Sequence, residues 1–338
     1  MAADAARGKP ATIYDVAELA GVSHITVSRF LSGFSGMRAA TRERVAAAVA
    51  ELDYTPNPMG RSLRLQRIDR IAYLADRLDE HGPSQLLLGA LSAARARGYI
   101  LDVVPTGEGV MSVDAAVDLV GRERVAGIVL SGRTEPARSV LTRRAFSVPV
   151  VDDFELHVAG TSTPVDEWVG QIAAEHLLAQ GHRRVALLEG PAAWAASGSR
   201  AGGFRAALTR GGGSVVLVET GDWSPRSGYE ATTRMLSAGL RDATALGVAN
   251  DAMALGALSA LFDAGVRVPE DLAVIGVDDL PQAAYARPGL STVAVDHAAE
   301  GRHVVDALVD RIEGVAPPGV PSQVPAPLLV VRGSTTRA

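Results

Sequence analysis

Side chains suited to a polyhydroxylated ligand follow apolar runs in the second half of the chain. Asp278 and Asp279 come directly after the run at 272–277, and a carboxylate there can accept two hydrogen bonds from neighbouring hydroxyl groups. Asn250 offers both a donor and an acceptor, and Trp223 can stack on the apolar face of a sugar ring. These residues therefore predict binding of a sugar-like molecule.

Each of these residues also has a structural interpretation. Asp278 and Asp279 would be a solvated pair at a strand end, and Trp223 would belong to the core. Asp251, next to Asn250, is expected to cap the helix that follows it. Both interpretations are compatible with the residues alone.

Patterns typical of enzymes and metal centres are absent from the sequence. The 7 histidines are scattered without H-x-x-x-H or H-E-x-x-H spacing, and no G-x-x-x-x-G-K phosphate loop occurs. There are no cysteines, which excludes a disulfide or a thiolate metal site. No catalytic constellation, cofactor or metal is therefore expected. No apolar run is long enough for a signal peptide or a bilayer span, so we expect a cytoplasmic protein without a membrane partner.

Residues 12–32 are spaced as two short helices joined by a glycine turn. The first helix would bury apolar side chains at helical spacing, namely Ile13, Val16, Ala17 and Ala20. Gly21 suits a turn with positive φ, and Ser23 can cap the second helix. That second helix would bury Val27, Phe30 and Leu31. Two helices in this arrangement form a helix-turn-helix unit.

The exposed face of the second helix would begin with His24 and Ile25 and continue to Arg29. The first residues of such a helix reach base edges in the major groove, although an ordinary helical hairpin has the same periodicity. The charge distribution favours DNA binding. Residues 1–67 carry nine basic and six acidic side chains, whereas the remainder carries 24 basic and 32 acidic ones within a net charge of −5.

From residue 68 onward, apolar runs typical of buried strands alternate with amphipathic helical runs. Strands are predicted at 71–75, 99–104, 125–130, 148–152, 184–188, 214–218, 245–249 and 272–277. Helices are predicted at 84–97, 113–122 and 165–179. This alternation predicts an α/β fold of doubly wound parallel sheets, and its two series predict two similar lobes. Ligands bind such sheets at the carboxyl ends of the strands, which would face each other across a cleft.

Several motifs together resemble the lactose-repressor family of bacterial transcription regulators. The helix-turn-helix is followed by T-R-E-R-V-A-A-A-V-A-E-L-D-Y-T-P-N-P at 41–58, similar to the third helix of that family's headpiece and the segment that closes it. Further motifs are A-L-L-E-G-P at 186–191, G-D-W-S at 221–224, V-A-N-D-A-M-A-L-G-A-L at 248–258, G-V-D-D at 276–279 and L-V-V-R-G-S-T at 329–335. The resemblance thus extends over the headpiece and the body.

The resemblance implies a DNA-binding headpiece at 1–57, a hinge helix at 58–67 and a two-lobed, periplasmic-binding-protein-like core at 68–338. The core would bind ligand and form the dimer, with chain crossings between lobes near Pro164, Val295 and Pro325. The DNA contacts implied are Thr12, Tyr14, Ser23, His24, Ile25, Thr26, Ser28, Arg29, Asn57 and Leu63. Leu63 would be the wedge between base steps in the minor groove. Gly60 departs from the alanine usual in the hinge, which lowers its helix propensity by about 1 kcal/mol.

For the cleft, the resemblance adds ligand-binding residues from the opposite lobe to Trp223, Asn250 and Asp278. The full set implied is Asp76, Ser131, Asp153, Trp223, Asn250, Asp278 and His297. His297 would either stack on the ligand or be an exposed histidine at a helix start. The arginine that usually clamps a sugar is replaced by Gly198, while Arg200 is kept. Three explanations of the missing fork of donors stay open: Arg77 replaces it, the ligand adopts a changed pose, or the ligand is not a galactoside. Trp194 would add aromatic surface.

The function implied is a transcriptional repressor that binds a pseudo-palindromic DNA operator as a homodimer and is released by a small sugar-like effector. The C-terminal R-G-S-T-T-R-A carries no leucine heptads, which favours a dimer over a tetramer. Two alternatives stay open: a repressor that needs a corepressor, and a sugar-binding module without DNA activity.

Overall fold

The computed structural model describes residues 11–31, 34, 36–54, 68–107, 109–131, 134–153, 156–315 and 323–336. Contacts divide the chain into two units, Met1–Ile68 and Asp69–Ala338. The segment predicted as a hinge helix, with Gly60 and Leu63, lies outside the described residues, as does Asn57.

The first unit contains three helices: α1 (Ile13–Leu19), α2 (His24–Leu31) and α3 (Ala39–Glu51). Their shared core consists of Val16, Ala17, Ala20, Val27, Val45 and Ala48, with Ile13, Phe30 and Leu31 packed against it. Gly21 adopts a φ of 62°, which a glycine tolerates without strain, and this turn lets α2 fold back on α1. The apolar spacing predicted from the sequence is therefore confirmed for this helix-turn-helix unit.

The first lobe of the second unit is built on a four-stranded parallel sheet. Its strands are β1 (Arg70–Asp76), β2 (Ile100–Thr106), β3 (Gly127–Leu130) and β4 (Val150–Asp152), in the order β2-β1-β3-β4. Helices follow the first three strands: α4 (His81–Ala96), α5 (Val113–Val120) and α6 (Glu135–Arg143). Each helix carries the chain back across the sheet, as parallel strands require.

The second lobe is built on a six-stranded sheet in the order β12-β10-β9-β8-β6-β7. In chain order, the remaining elements are β5 (His157–Val158), α7 (Val165–Ala179), β6 (Arg184–Glu189), α8 (Ala195–Arg210), β7 (Ser214–Thr220), α9 (Pro225–Ser237), a 3₁₀ helix (Leu240–Asp242), β8 (Ala245–Val248), α10 (Asp251–Asp263), β9 (Ala273–Val277), a second 3₁₀ helix (Pro281–Tyr285), β10 (Ser291–Ala294), α11 (His297–Ile312), β11 (Gln323–Val324) and β12 (Leu328–Val330). The order β7-β6-β8-β9 repeats the order β2-β1-β3-β4, which confirms two similar lobes. Among the helices of the described residues, none is long and apolar enough to cross a membrane.

Both faces of each sheet are covered by helices. Along β1, Tyr73 packs in one apolar cluster with α4 and α11, whereas Leu74 packs in another with α5 and α6. Along β6, Leu187 clusters with Phe204 of α8, and Leu188 clusters with residues of α9 and α10. Alternate residues of a strand point to opposite faces, so the continuous apolar runs of the sequence fill two layers at once. The doubly wound α/β architecture is confirmed.

The chain passes between the lobes at three places. It leaves β4 of the first lobe and enters α7 of the second near Pro164. After β10 it returns near Val295, because α11 packs against α4, β3 and β4. It crosses again near Pro325, between β11 and β12, and β11 pairs in parallel with β5 beside the first crossing. These are the crossing points that the resemblance implied.

Candidate functional site

The exposed face of α2 presents the leading side chains predicted to read DNA. Ile25 is 54% exposed. The ring of His24 lies 5.1 Å from that of Tyr14, which α1 holds 65% exposed beside it. Arg29, one turn further along, has its guanidinium carbon 5.6 Å from the ring centroid of Phe34. An apolar, an aromatic and a cationic side chain thus share one accessible surface, which suits contact with base edges and phosphates.

Three hydroxyl groups among the predicted DNA contacts order the helix starts. Thr12 accepts a hydrogen bond from the backbone N–H of Asp15 (3.4 Å) and donates its own N–H to the Asp15 carboxylate (2.7 Å), a reciprocal capping box. Ser23 accepts from the N–H of Thr26 (3.2 Å), and their hydroxyls lie 3.0 Å apart. Ser28 is half-buried. DNA contact by these residues stays a prediction. The structure shows in addition that Thr12, Ser23 and Thr26 make hydrogen bonds at the helix starts.

A cavity of about 640 Å³, counting its solvent-open space, lies between the two lobes. Its walls come from the segments that follow the carboxyl ends of the strands, where the sequence places the ligand. Six of the seven predicted ligand residues line it: Ser131, Asp153, Trp223, Asn250, Asp278 and His297. The structure therefore brings together residues that are far apart in the chain.

Asp76 is the predicted ligand residue that does not line this cavity. Its carboxyl group turns toward Gly107, where an added Cβ atom would lie 3.2 Å from the Asp76 carboxyl carbon. Burial raises the pKa of Asp76, whereas a hydrogen bond from the Arg77 backbone and the positive charge of Arg77 oppose that rise. Contact of Asp76 with a ligand therefore stays a prediction, and the structure shows that the side chain of this last strand residue packs within the first lobe.

The helix cap predicted for Asp251 belongs to Asn250 instead. Asn250 Oδ1 accepts from the N–H of Met253 (2.9 Å), and its Nδ2 donates to the Trp223 carbonyl oxygen (3.0 Å). Asp251 is fully buried and accepts from the Thr292 hydroxyl (2.7 Å) and the Leu280 N–H (2.9 Å). Burial, reinforced by the nearby charge of Asp278, raises the pKa of Asp251 to about 8. Asn250 thus fixes the cavity wall as well as lining it.

Asp278 lies at the centre of an ionic cluster. Its Oδ1 is 3.1 Å from His297 Nε2, and His297 Nδ1 is 3.0 Å from Glu300 Oε2. Burial opposes the charged form of His297, but the hydrogen bonds to both carboxylates outweigh burial and raise its pKa to about 9. The exposed-histidine interpretation of His297 is wrong, because the side chain is 5% exposed.

Arg200 supplies the cation of the second lobe. Its Nε donates to Asp166 Oδ1 (2.7 Å) and its Nη1 to the Ala249 carbonyl oxygen (2.8 Å), with Asp278 Oδ1 3.8 Å away. The guanidinium carbon lies 5.9 Å from the Trp223 ring centroid, so Arg200 stacks on the indole while its charge faces the cavity.

Two indoles form the aromatic surface of the second lobe. Trp194 and Trp223 meet edge to face, with ring centroids 6.2 Å apart, and both line the cavity. The added aromatic surface expected from Trp194 is therefore present. Trp223 and Asp278 both adopt positive φ, 76° and 108°. Such conformations cost an L-residue about 1–3 kcal/mol and gather at ligand sites.

The missing arginine leaves open space beside this wall. A Cβ atom added at Gly198 would meet nothing within 4 Å. Arg77 does not replace it in this structure, because its Nη2 donates to Glu80 Oε1 (2.5 Å) and it lies outside the cavity lining. A changed ligand pose and a ligand other than a galactoside are the two expectations that stay open.

Sequence reasoning missed three titratable residues of the cavity: Glu80, His81 and Glu300. Glu300 had a usable signal, because it follows His297 by three residues and so shares its face of a helix. His81 and Glu80 start α4 directly after β1, the position where strand-end sites place polar groups. On the first-lobe side, the Ser131 hydroxyl donates to Asp153 Oδ2 (3.0 Å), joining two residues that were predicted separately.

Together, these features define a helix-turn-helix DNA-binding protein with a two-lobed ligand-binding core. Comparison with known proteins agrees. The model of bacterial regulatory proteins of the lacI family matches residues 12–57, and that of the periplasmic binding protein-like domain matches residues 174–335. The chain is 35% identical to the lactose operon repressor of Escherichia coli (strain K12) over 98% of its own length and 92% of that protein.

Solved structures give the same answer. The lac repressor dimer bound to operator and the anti-inducer ONPF superimposes with a TM-score of 0.84 at 34% identity, covering 97% of this chain and 100% of that one. The complex of the transcriptional regulator CelR with cellobiose has a TM-score of 0.70 at 30% identity, covering 96% and 99%. The chain belongs to the LacI family and is a DNA-binding transcriptional regulator, not an enzyme.

Proposed function

We propose that the protein represses transcription by binding a pseudo-palindromic operator as a homodimer, and that a small sugar-like molecule in the cavity releases it. The observation that carries this proposal is the cavity itself, whose walls come from both lobes. The similar operator-bound dimer and the similar cellobiose complex support the partners proposed here: duplex DNA, a second copy of the chain and a saccharide. Such a regulator works in the cytoplasm.

The chemistry of the walls supports a saccharide. The carboxylates of Asp153 and Asp278 accept hydrogen bonds from hydroxyl groups, and the indoles of Trp194 and Trp223 offer a flat apolar surface to a ring. The cavity opens to solvent between the two lobes, and a few polar groups converge on its aromatic and apolar walls, as in many small-molecule sites. The open space at Gly198 supports a ligand pose different from that of a sugar clamped by an arginine.

Release from DNA follows from unequal binding to two arrangements of the lobes. A ligand shifts an equilibrium only by its difference in affinity for the two states. Because Asp278 belongs to the second lobe and Asp153 to the first, a ligand that touches both distinguishes the arrangements. We propose that the resulting shift separates the paired hinge segments at 58–67, including Leu63, and weakens operator binding. Asn57 would act at the junction of headpiece and hinge.

The first step of the test is to identify the operator sequence, which the protein structure does not reveal. Selection from a pool of random DNA duplexes should enrich a pseudo-palindrome, to which affinity is then measured by fluorescence anisotropy. Cellobiose, lactose and their component monosaccharides are added next, with tryptophan quenching as the measure of ligand binding. Release by one of these sugars supports the proposal. Tighter DNA binding would instead support a corepressor mechanism, and no enriched duplex would support a sugar-binding module.

A matched pair of variants tests the role of the cavity. Asp278→Ala should abolish the ligand response, since it removes an acceptor from the cavity, whereas the preference for the selected operator over random DNA should remain, because the headpiece is unchanged. Asp118→Ala, a surface carboxylate of α5 that is 57% exposed, should change neither. The cavity assignment fails if Asp278→Ala loses operator affinity while its ligand affinity is retained.

A further inference from the structure

One ion pair in the cavity wall joins the two lobes directly. Asp278 follows β9 of the second lobe, whereas His297 opens α11, which packs against α4, β3 and β4 of the first lobe. Their side chains meet at 3.1 Å and are 8% and 5% exposed. A contact this well shielded from water depends strongly on the charge of each partner.

The geometry favours the doubly protonated form of the imidazole. Nε2 faces Asp278 Oδ1 and Nδ1 faces Glu300 Oε2, at 3.1 and 3.0 Å. An ionised carboxylate only accepts hydrogen bonds. When both carboxylates are ionised, both ring nitrogens must carry a proton, and His297 is then an imidazolium that donates to Asp278 and to Glu300.

The charged and titratable groups around His297 support this state. From α4, His81 meets the imidazole at a centroid distance of 6.3 Å and an angle of 74°, and burial lowers the pKa of His81, which favours its neutral form. From α8, Arg200 lies beyond Asp278, with Nη1 3.8 Å from Oδ1. On α11 itself, Asp296 caps the helix by accepting from the N–H of Ala299. Two carboxylates, one from each lobe, thus enclose a single imidazolium.

The same arrangement determines how Asp278 meets a ligand. Its Oδ1 lies between the imidazolium and the Arg200 guanidinium. Within the described chain, the hydrogen bonds and ion pairs of the Asp278 carboxylate are made by Oδ1, and Asp278 lines the cavity. A ligand therefore finds one oxygen at Asp278 rather than the two expected from an unengaged carboxylate.

We propose that His297 is a positioning residue for the ligand site: as an imidazolium it ties Asp278 to the first lobe and directs Oδ2 toward the ligand. The role in ligand recognition rests on the proposed function, whereas the tie between the lobes does not. Loss of the imidazolium proton removes the charge that holds the two lobes together at this point. The separation of the lobes in the ligand-free protein should then depend on the protonation of one histidine.

A distance measurement between the lobes tests this without any ligand. The chain has no cysteines, so Glu123→Cys and Glu175→Cys, both exposed and one in each lobe, allow two spin labels to be placed specifically. Pulsed electron resonance should give a narrow distribution at pH 7 and a broader or longer one at pH 10. His297→Phe should give the broad distribution at both pH values, and His297→Gln, which keeps a donor but does not titrate, should show no pH dependence.

A second measurement detects the ring protons of the histidines directly, and its main result comes from the wild-type protein. In protein labelled with ¹⁵N-histidine, one of the 7 histidines should show two protonated ring nitrogens at pH 8. Glu300→Gln should lower the midpoint of its titration. A neutral tautomer at pH 7 would overturn the proposal, as would identical interlobe distances at pH 7 and pH 10.

The ligand arm uses cellobiose and lactose at pH 7. We expect His297→Phe to weaken binding of the active sugar at least tenfold, and His297→Gln to recover most of that loss. If neither sugar binds the wild-type protein, the proposed ligand class is wrong, while the interlobe distances still decide whether His297 ties the lobes. If a sugar binds His297→Phe as well as wild type, the positioning role is refuted.

Discussion

Gly203 lies where α8 crosses α7, and replacing it with alanine should displace the helix that carries Arg200 to the cavity. A Cβ atom added there would lie 2.9 Å from the carbonyl carbon of Glu167 and closer still to its oxygen. Gly170 makes the reciprocal approach, since its added Cβ would lie 2.7 Å from the backbone nitrogen of Phe204. The two helices can pack this closely only because both positions lack a side chain.

The expected magnitude follows from these distances. Backbone atoms cannot rotate away, so α8 must move by about 1 Å, and overpacking of this kind costs about 1–3 kcal/mol. Gly198, five residues earlier in the same helix, is the matched control, because its added Cβ meets nothing within 4 Å. There, alanine should stabilise the protein by about 0.5–1 kcal/mol through helix propensity alone. The same movement of α8 should stretch the 2.7 Å bond between Arg200 and Asp166.

Thermal unfolding of the full-length variants, followed by circular dichroism, measures the difference. At about 2–4 °C per kcal/mol for a domain of this size, Gly203→Ala should melt roughly 3–16 °C below Gly198→Ala, with wild type between them. Gly203→Ala should also weaken ligand binding, whereas Gly198→Ala should not. Equal upward shifts for both variants would refute the close helix approach on which the reasoning depends.

Four further predictions concern single side chains. The pKa of His297 is raised to about 9 in the folded protein. The stabilisation that this gives is complete below pH 6.5 and is lost as the pH rises to about 9. The free energy of unfolding of the wild-type protein should therefore fall by about 3 kcal/mol across that window in pH-dependent melts, whereas that of His297→Phe should not. Thr12→Ala should weaken the headpiece by about 1 kcal/mol through loss of the capping box, with Thr12→Ser retaining it, as read from headpiece melting. Ile25→Gln should change the base selected at one position per half-site, and Arg29→Ala should reduce specific binding by about 1–3 kcal/mol, whereas equal losses on random DNA would mean that Arg29 contacts only phosphate.

Much of the fold was predictable because its strands are buried on both faces. Such strands read as continuous apolar runs, and all eight predicted strands are present, with α7 beginning and ending at the predicted residues. Four strands were not predicted: β5, β10, β11 and β12. Of these, β5 and β11 have two residues each and exist only by pairing with each other, His157 opposite Gln323, so no local pattern indicates them.

The candidate site was predictable in membership but not in detail. Strand-end position was enough to place Asp278 and Trp223 at the cavity, because topology carries those ends to one cleft. It was not enough to decide whether Asn250 or Asp251 caps α10, since both residue types can cap a helix. Strand-end position also did not show that the Asp76 side chain points toward Gly107, because the direction of a side chain depends on its tertiary neighbours.

The bonds already present in the cavity wall explain how a ligand can select one arrangement of the lobes. Asn250 is held by the Trp223 carbonyl, and Arg200 by Asp166, so these second-lobe groups move together. Asp278 is bonded across to the first lobe, through His297. A ligand hydroxyl that binds Asp278 therefore acts on a carboxylate that both lobes share. Its binding energy depends on the distance between the lobes, which is the condition that release from DNA requires.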